Sequence, residues 1–262
     1  MQRILVRALL ISACFIGGTA MAEPHSEVVA KSDLVFQSLN PARGDAAPKA
    51  GVLWGDLRKN VPTGALIEFA DGFSSPPHIH NITYRAVVIS GAVHNDDPQA
   101  EMLWMGPGSF WTQAAGESHI TAAAKGNKGT AFLEILEGPY LVQPAEAAFD
   151  SGERSVNVDA SNVVWLGSSD TAWIKQPVSP TTTATPEISF LWGSPEDGQN
   201  IGTLLKLPAG TQGELRGNGS WLRAVMIQGR TRHRLAGEFD TTDLEPGSYF
   251  GSNGKTVHSV EC

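Results

Sequence analysis

The chain is 262 residues long and carries 19 Lys and Arg against 27 Asp and Glu, a formal net charge of -8. A chain with this acidic balance lacks the clustered basic surface that phosphate recognition needs, which excludes a nucleic-acid binder. Its two cysteines, Cys14 and Cys262, are too few for a disulfide framework.

Residues 1–22 read as a secretory signal. Arg3 and Arg7 flank the start, Ala8 to Ala20 is mostly apolar, and Ala20-Met21-Ala22 offers a small-residue cleavage site. The mature chain is therefore expected to begin at Glu23 and to be periplasmic or secreted. The apolar stretch is shorter than the roughly 20 residues a spanning helix needs, so no transmembrane segment is expected here or later. Ile11-Ser12-Ala13-Cys14 is a second processing option, since it looks like the box that places a lipid on Cys14. The arginines are not adjacent, so the signal is not of the twin-arginine kind and the chain would cross the membrane unfolded. Processing at Glu23 leaves 17 basic against 27 acidic residues and Cys262 alone. Without an internal disulfide the fold must rest on buried cores, which a chain of this length can build.

After an N-terminal arm at 23–50, the next unit spans 51–144. It holds short runs rich in Val, Ile, Leu and aromatics between glycines and prolines: Gly64 to Phe69, Tyr84 to Ser90, Glu101 to Met105, Ser109 to Gln113 and Thr130 to Leu136. None has the length or period of a helix, and many short strands with regular turns indicate a sandwich or barrel. His78 and His80 are two apart on one such segment, so both imidazoles face one side. Tyr84 has an even offset from both and is expected on that side too. His119 follows the turn Ala114-Ala115-Gly116, with Glu117 inside it, and His94 follows the turn after Gly91.

Gly138-Pro139 and the polar stretch 151–161 carry linker signals, and from 161 the chain repeats itself. Leu53-Trp54-Gly55 returns as Leu191-Trp192-Gly193, Gly64 as Gly202, and Arg85-Ala86-Val87 as Arg223-Ala224-Val225, all offset by 138 residues. After one inserted residue, Pro107-Gly108-Ser109-Phe110-Trp111 returns as Pro246-Gly247-Ser248-Tyr249-Phe250, and His119 as His258. The chain therefore reads as an internal duplication, with a second, degenerate unit over 161–262. There Arg216 and Asn218 stand for the two histidines and Leu222 for Tyr84, leaving a scaffold, half of a homodimer interface, or an anion pocket lined by Arg216 and His258. This copy stops soon after His258, before a counterpart of Thr130 to Leu136. Its edge would need cover from Val28 to Leu39, a partner subunit or further chain. Arg85 recurs in the copy without ligands, which points to a structural role such as a surface ion pair.

The glycine and histidine spacing resembles the two cupin motifs, G-x5-H-x-H-x3,4-E-x6-G and G-x5-P-x-G-x2-H-x3-N, over Val52 to Leu136 and in weakened form over Leu191 to Cys262. The Tyr-Arg after H-x-H and the later Pro-Gly-Ser-aromatic run resemble an uncharacterised bicupin family, with ChrR-type cupins as distant relatives. The resemblance implies an all-β chain of two tandem cupin jelly-roll barrels, the first holding one divalent metal on His78, His80 and His119. Ala114 and Ala123 replace the usual Pro and Asn. The motif glutamate is absent, because Tyr84 or Arg85 falls at its place. Three imidazoles with open positions suit a catalytic metal, and Zn, Fe, Cu, Ni or Mn all remain open. Tyr84 is then an acid-base candidate, a phenolate ligand or barrel packing, while His94 and Glu117 are further groups near the motifs. The implied function is a metal-dependent enzyme of dioxygenase or C–C-cleaving type acting on a small organic substrate. The alternatives are a sensor, carrier or store that binds metal or a small ligand, and a barrel that binds a sugar-like ligand.

Overall fold

The computed structural model describes residues 25–175, 185–196, 198–217 and 220–262; the expected signal, Cys14, Glu23 and Asn218 lie outside them. The first twelve strands are β1 (Ser26–Val29), β2 (Gln37–Ser38), β3 (Lys49–Trp54), β4 (Thr63–Glu68), β5 (His78–His80), β6 (Tyr84–Ser90), β7 (Val93–Asp96), β8 (Phe110–Gln113), β9 (Ile120–Ala123), β10 (Thr130–Ile135), β11 (Val142–Pro144) and β12 (Val156–Val158). The rest are β13 (Glu187–Gly193), β14 (Ile201–Lys206), β15 (Gln212–Arg216), β16 (Trp221–Val225), β17 (Thr231–Leu235), β18 (Thr242–Leu244), β19 (Tyr249–Asn253) and β20 (Val257–Glu261). The only helical segments among the described residues are short 3-10 turns, and none is long and apolar enough to cross a membrane.

In the first half a seven-stranded sheet runs β12-β8-β6-β10-β4-β3-β2. The second sheet is built from β11-β5 and β7-β9, joined where His78 and His119 exchange backbone hydrogen bonds of 3.0 and 2.9 Å. The result is the all-β jelly-roll arrangement expected. Tyr84, Ala86 and Val88 of β6 point inward and pack with Ile67, Phe69, Met105, Trp111 and Leu133. Ile89, on the opposite face, is also buried, because it packs in a cluster with Leu53, Trp54, Leu66 and Tyr249 of the second half. A strand covered on both faces loses the clean alternation of a solvent-facing strand.

Strands of the second half carry the repeated residues in the same order, on the sheets β15-β20-β17-β18, β1-β19-β16 and β13-β14. The paired Trp and Gly of the repeat have a physical reason. A Cβ on Gly64 would lie 2.3 Å from the Trp54 ring, and one on Gly202 would lie 1.9 Å from Trp192, so each indole lies flat over a glycine of the next strand. The halves meet through matching groups: the Arg85 guanidinium sits 4.2 Å over Trp192, and that of Arg223 sits 5.1 Å over Trp54. Arg85 therefore stacks between the halves rather than forming a surface ion pair. Glu134, opposite Arg85 in the β6–β10 ladder, has its pKa raised by burial and pulled back by Arg85 and Arg223.

Two expectations change, one about an edge and one about the linker stretch. β1 pairs with β19 as β12 pairs with β8, so the N-terminal arm covers a different edge from the one that lacks a counterpart of β10. Among the described residues β16 and β14 have no strand between them. The stretch read as a linker is strapped to the first half, since β11 pairs with β5 and β12 with β8, while Phe149 N–H donates to Gly116. Three-residue strands flanked by Gly, Pro and Ser show no period from which they could be read.

Candidate metal centre

β5 turns His78 and His80 to one side and buries Ile79 on the other. The bridge between His78 and His119 sets those two rings opposite each other, 4.3 Å between centroids, and His80 lies 5.1 Å from His78 and 5.3 Å from His119. One ring nitrogen of each lies within 4.8 Å of the others. His80 and His119 are buried and His78 keeps partial exposure.

Every Nδ1 of the three faces a backbone carbonyl: Pro76 at 3.0 Å for His78, Leu141 at 3.0 Å for His80, and Glu117 at 3.1 Å for His119. A carbonyl can only accept, so each Nδ1 carries the proton and each Nε2 keeps its lone pair. This is the outer-shell arrangement that orients imidazole ligands. Burial lowers the pKa of His78, holds that of His80 well below the ordinary imidazole range and brings that of His119 to about 3, so all three stay neutral at pH 7. Three neutral, oriented imidazoles fit a divalent transition metal.

Tyr84 enters the same space. Its hydroxyl donates to Asn95 Oδ1 at 2.9 Å and lies 3.5 Å from His119 Nε2. Asn95 Oδ1 also accepts from Thr121 Oγ1 at 2.7 Å, Asn95 Nδ2 donates to Gln113 Oε1 at 2.8 Å, and Gln113 Nε2 donates to the Glu117 carbonyl at 3.3 Å. The chain closes on the carbonyl that orients His119. Burial pushes the Tyr84 pKa up to about 12, so it is a neutral phenol.

His94 does not approach the centre. Val93 and Asn95 point inward, so His94 faces out beneath the 97–104 loop, where Nδ1 donates to the Leu103 carbonyl at 3.2 Å and Trp104 flanks the ring. The Glu117 carboxylate turns to Ser155, accepting from its N–H at 3.2 Å and from its hydroxyl. In the second half, Arg216 is exposed and paired with Glu214, while His258 is fully buried, so no Arg216–His258 anion pocket forms. Leu222 packs against the apolar cluster of Leu244, Phe250 and Val260.

Sequence reasoning missed Tyr140, whose ring stacks on His80 at 4.2 Å and 20° and whose hydroxyl lies 3.1 Å from His80 Nε2. It also missed Asn95 and Gln113. Alternation from Val93 could have found Asn95, but Tyr140 follows Gly138-Pro139 in a stretch with no pattern.

Residues 27–262 match the family model described as a domain of unknown function, DUF4437. The chain belongs to this family. Comparison with curated proteins finds no match. Among solved structures, a protein of Nostoc punctiforme described as a candidate dioxygenase is similar at 10% identity, over 90% of this chain and 81% of its own, with a TM-score of 0.59. Ylba of E. coli, a DUF861 protein, is similar at 12% identity, over 90% and 86%, with a TM-score of 0.53. The oxalate decarboxylase of Lactobacillus farciminis, solved with formate, is similar at 11% identity, over 89% and 81%, with a TM-score of 0.52. These neighbours are cupin-type proteins, and at such identities they show a shared jelly-roll fold and nothing finer.

Proposed function

We propose that this chain is an exported bicupin whose first barrel, 51–144, is a metal-dependent enzyme on a small organic substrate, and whose second, 161–262, is a degenerate copy of the same unit. The observation that carries the reading is the common state of His78, His80 and His119, each with Nδ1 facing a carbonyl and with one ring nitrogen of each within 4.8 Å of the others. A divalent metal held there would polarise a bound oxygen or activate water or dioxygen. Tyr84 is the proton donor of the site: a neutral phenol, 3.5 Å from His119 Nε2 and fixed by Asn95. Oxidative or C–C-cleaving chemistry is the reaction class we favour, because two of the solved neighbours are described as a candidate dioxygenase and an oxalate decarboxylase. Export rests on the signal over residues 1–22, and pairing of two chains across the open β14 and β16 edges is part of the reading.

The test is turnover. Protein loaded in turn with Fe(II), Mn(II), Cu(II), Ni(II) and Zn(II) is assayed on a panel of small organic acids for dioxygen uptake and carbon dioxide release, with Tyr84→Phe beside it. Turnover with one metal, reduced by about 100-fold to 10,000-fold in Tyr84→Phe at unchanged metal content, supports the reading. Metal uptake with no turnover supports the second reading, a metal-binding sensor or carrier, which the burial of His80 and His119 favours. Intact mass tests the processing, with a mature chain starting at Glu23 expected, a lipid-modified Cys14 showing the other export route, and an uncleaved chain opposing export.

A further inference from the structure

The motif glutamate that would complete the ligand set is absent, and two tyrosines lie where an oxygen ligand is needed. They differ in what their hydroxyls already do. Tyr84 is held by Asn95 Oδ1 in a network that includes Thr121 and Gln113. Among the described residues, the Tyr140 hydroxyl has one polar partner, His80 Nε2 at 3.1 Å, the nitrogen left unprotonated by the bond from Nδ1 to Leu141. Two donor atoms bound to one metal at about 2.0–2.2 Å lie about 3–3.4 Å apart, so the Tyr140 oxygen and His80 Nε2 already have the spacing of neighbouring ligands.

The stretch that carries Tyr140 is well anchored. Tyr140 N–H donates to the Leu57 carbonyl at 2.8 Å, Leu141 N–H donates to Asn81 Oδ1 at 2.8 Å, and Asn81 Nδ2 donates to the Pro139 carbonyl at 3.0 Å. Leu141 is also the residue whose carbonyl orients His80. One short segment therefore sets the ring of a ligand and places a second oxygen beside its lone pair. His78, on the other side of the centre, keeps the partial exposure through which a metal and an external ligand can enter.

We propose that Tyr140 supplies the fourth protein ligand to a metal held by His78, His80 and His119. On binding, the His80 Nε2 lone pair passes from the Tyr140 proton to the metal, the phenol oxygen coordinates the same metal, and the proton leaves to solvent. The inference rests on the three-histidine reading and goes beyond it, since cupin spacing assigns no role to Tyr140.

The experiment is the visible absorption of full-length protein loaded with Cu(II), compared among the unmodified chain, Tyr140→Phe and Tyr84→Phe. A phenolate bound to Cu(II) gives a charge-transfer band that imidazoles do not. The expected result is a band in the unmodified chain, kept in Tyr84→Phe and lost in Tyr140→Phe, with Tyr140→Phe weakening Cu(II) binding by about 10- to 100-fold while the three-nitrogen paramagnetic resonance signal persists. A band lost in Tyr84→Phe and kept in Tyr140→Phe overturns the assignment in favour of Tyr84. One bound Cu(II) without any band in the unmodified chain overturns the phenolate and leaves the three histidines standing, whereas failure to bind Cu(II) at all overturns both. The band in the unmodified chain is independent of whether either variant folds.

Discussion

His119 and His258 occupy matching places in the two halves, and their neighbours make them opposites. His119 gives Nδ1 to a carbonyl, its Nε2 lies 3.5 Å from the Tyr84 hydroxyl, and its ring sits 4.3 and 5.3 Å from those of His78 and His80. His258 has both nitrogens occupied, Nδ1 by His233 Nε2 at 2.8 Å and Nε2 by Ser252 Oγ at 2.8 Å. His233 stands where the first half has Asn95 and stacks on Phe250 at 4.4 Å. A histidine becomes available to a metal when one nitrogen is held by a carbonyl and the other keeps a lone pair that faces at most a displaceable tyrosine hydroxyl, as in His80 and His119. The second half satisfies both, and its interior becomes a closed hydrogen-bonded chain over a small apolar cluster.

The largest expected effect is on metal binding. His80→Ala lowers divalent-metal affinity by more than the about 10- to 100-fold typical of losing an outer-shell partner. His258→Ala leaves the affinity unchanged and instead costs about 1–3 kcal/mol of stability, because Ser252 and His233 lose a buried partner. Metal titration and chemical denaturation of the two variants read these separately. Equal loss of affinity in both would break the contrast.

Next in size is the response of the metal-free protein to acid. Burial lowers the pKa of His78, His80 and His119, the last to about 3, and in the second half that of His233 to about 4 and that of His258. The unfolded chain takes up protons near pH 6.5 and the folded chain does not. Stability is therefore fully present above about pH 6.5 and falls as the pH drops toward the folded values of about 3 for His119 and about 4 for His233, by up to about 1.4 kcal/mol per pH unit for each of these two, with the other three acting in the same direction. Denaturation across that window checks it. His119→Gln should flatten the profile more than His233→Gln.

The repeated Trp–Gly contact sharpens the comparison at a smaller scale. Gly64→Ala forces the buried Trp54 ring out of the cluster with Leu66 and Tyr249, costing about 1–3 kcal/mol as overpacking does. Gly202→Ala should cost less, since Trp192 is only partly buried and can swing away. Smallest are Arg85→Ala and Arg223→Ala, each removing a guanidinium–indole stack worth about 0.5–2 kcal/mol. Both should leave metal content intact, and a loss of metal in Arg85→Ala would tie that residue to the site after all.

Much of this was legible in the sequence because it depends on local period and spacing. Two histidines at i and i+2 face one way on any strand, Tyr84 follows by parity, and the Trp and Gly pairs recur because a flat indole needs a missing side chain beside it. Asn95 was legible as an inward position by alternation from Val93, but Tyr140 and Gln113 were not, since their contacts arise when distant segments come together around the histidines. Gly138-Pro139 and the polar stretch 151–161 carry linker signals in the sequence, and the strands between and within them are only three residues long. Only the fold shows that β11 and β12 lie along β5 and β8 and that Leu141, just before β11, orients His80.

The most direct test of the account is the number of metal ions per chain. Elemental analysis of the full chain, His119→Ala and His258→Ala after loading and desalting should give about one divalent transition metal, almost none, and about one. Two ions in the full chain, or retention of the metal without His119, would contradict it.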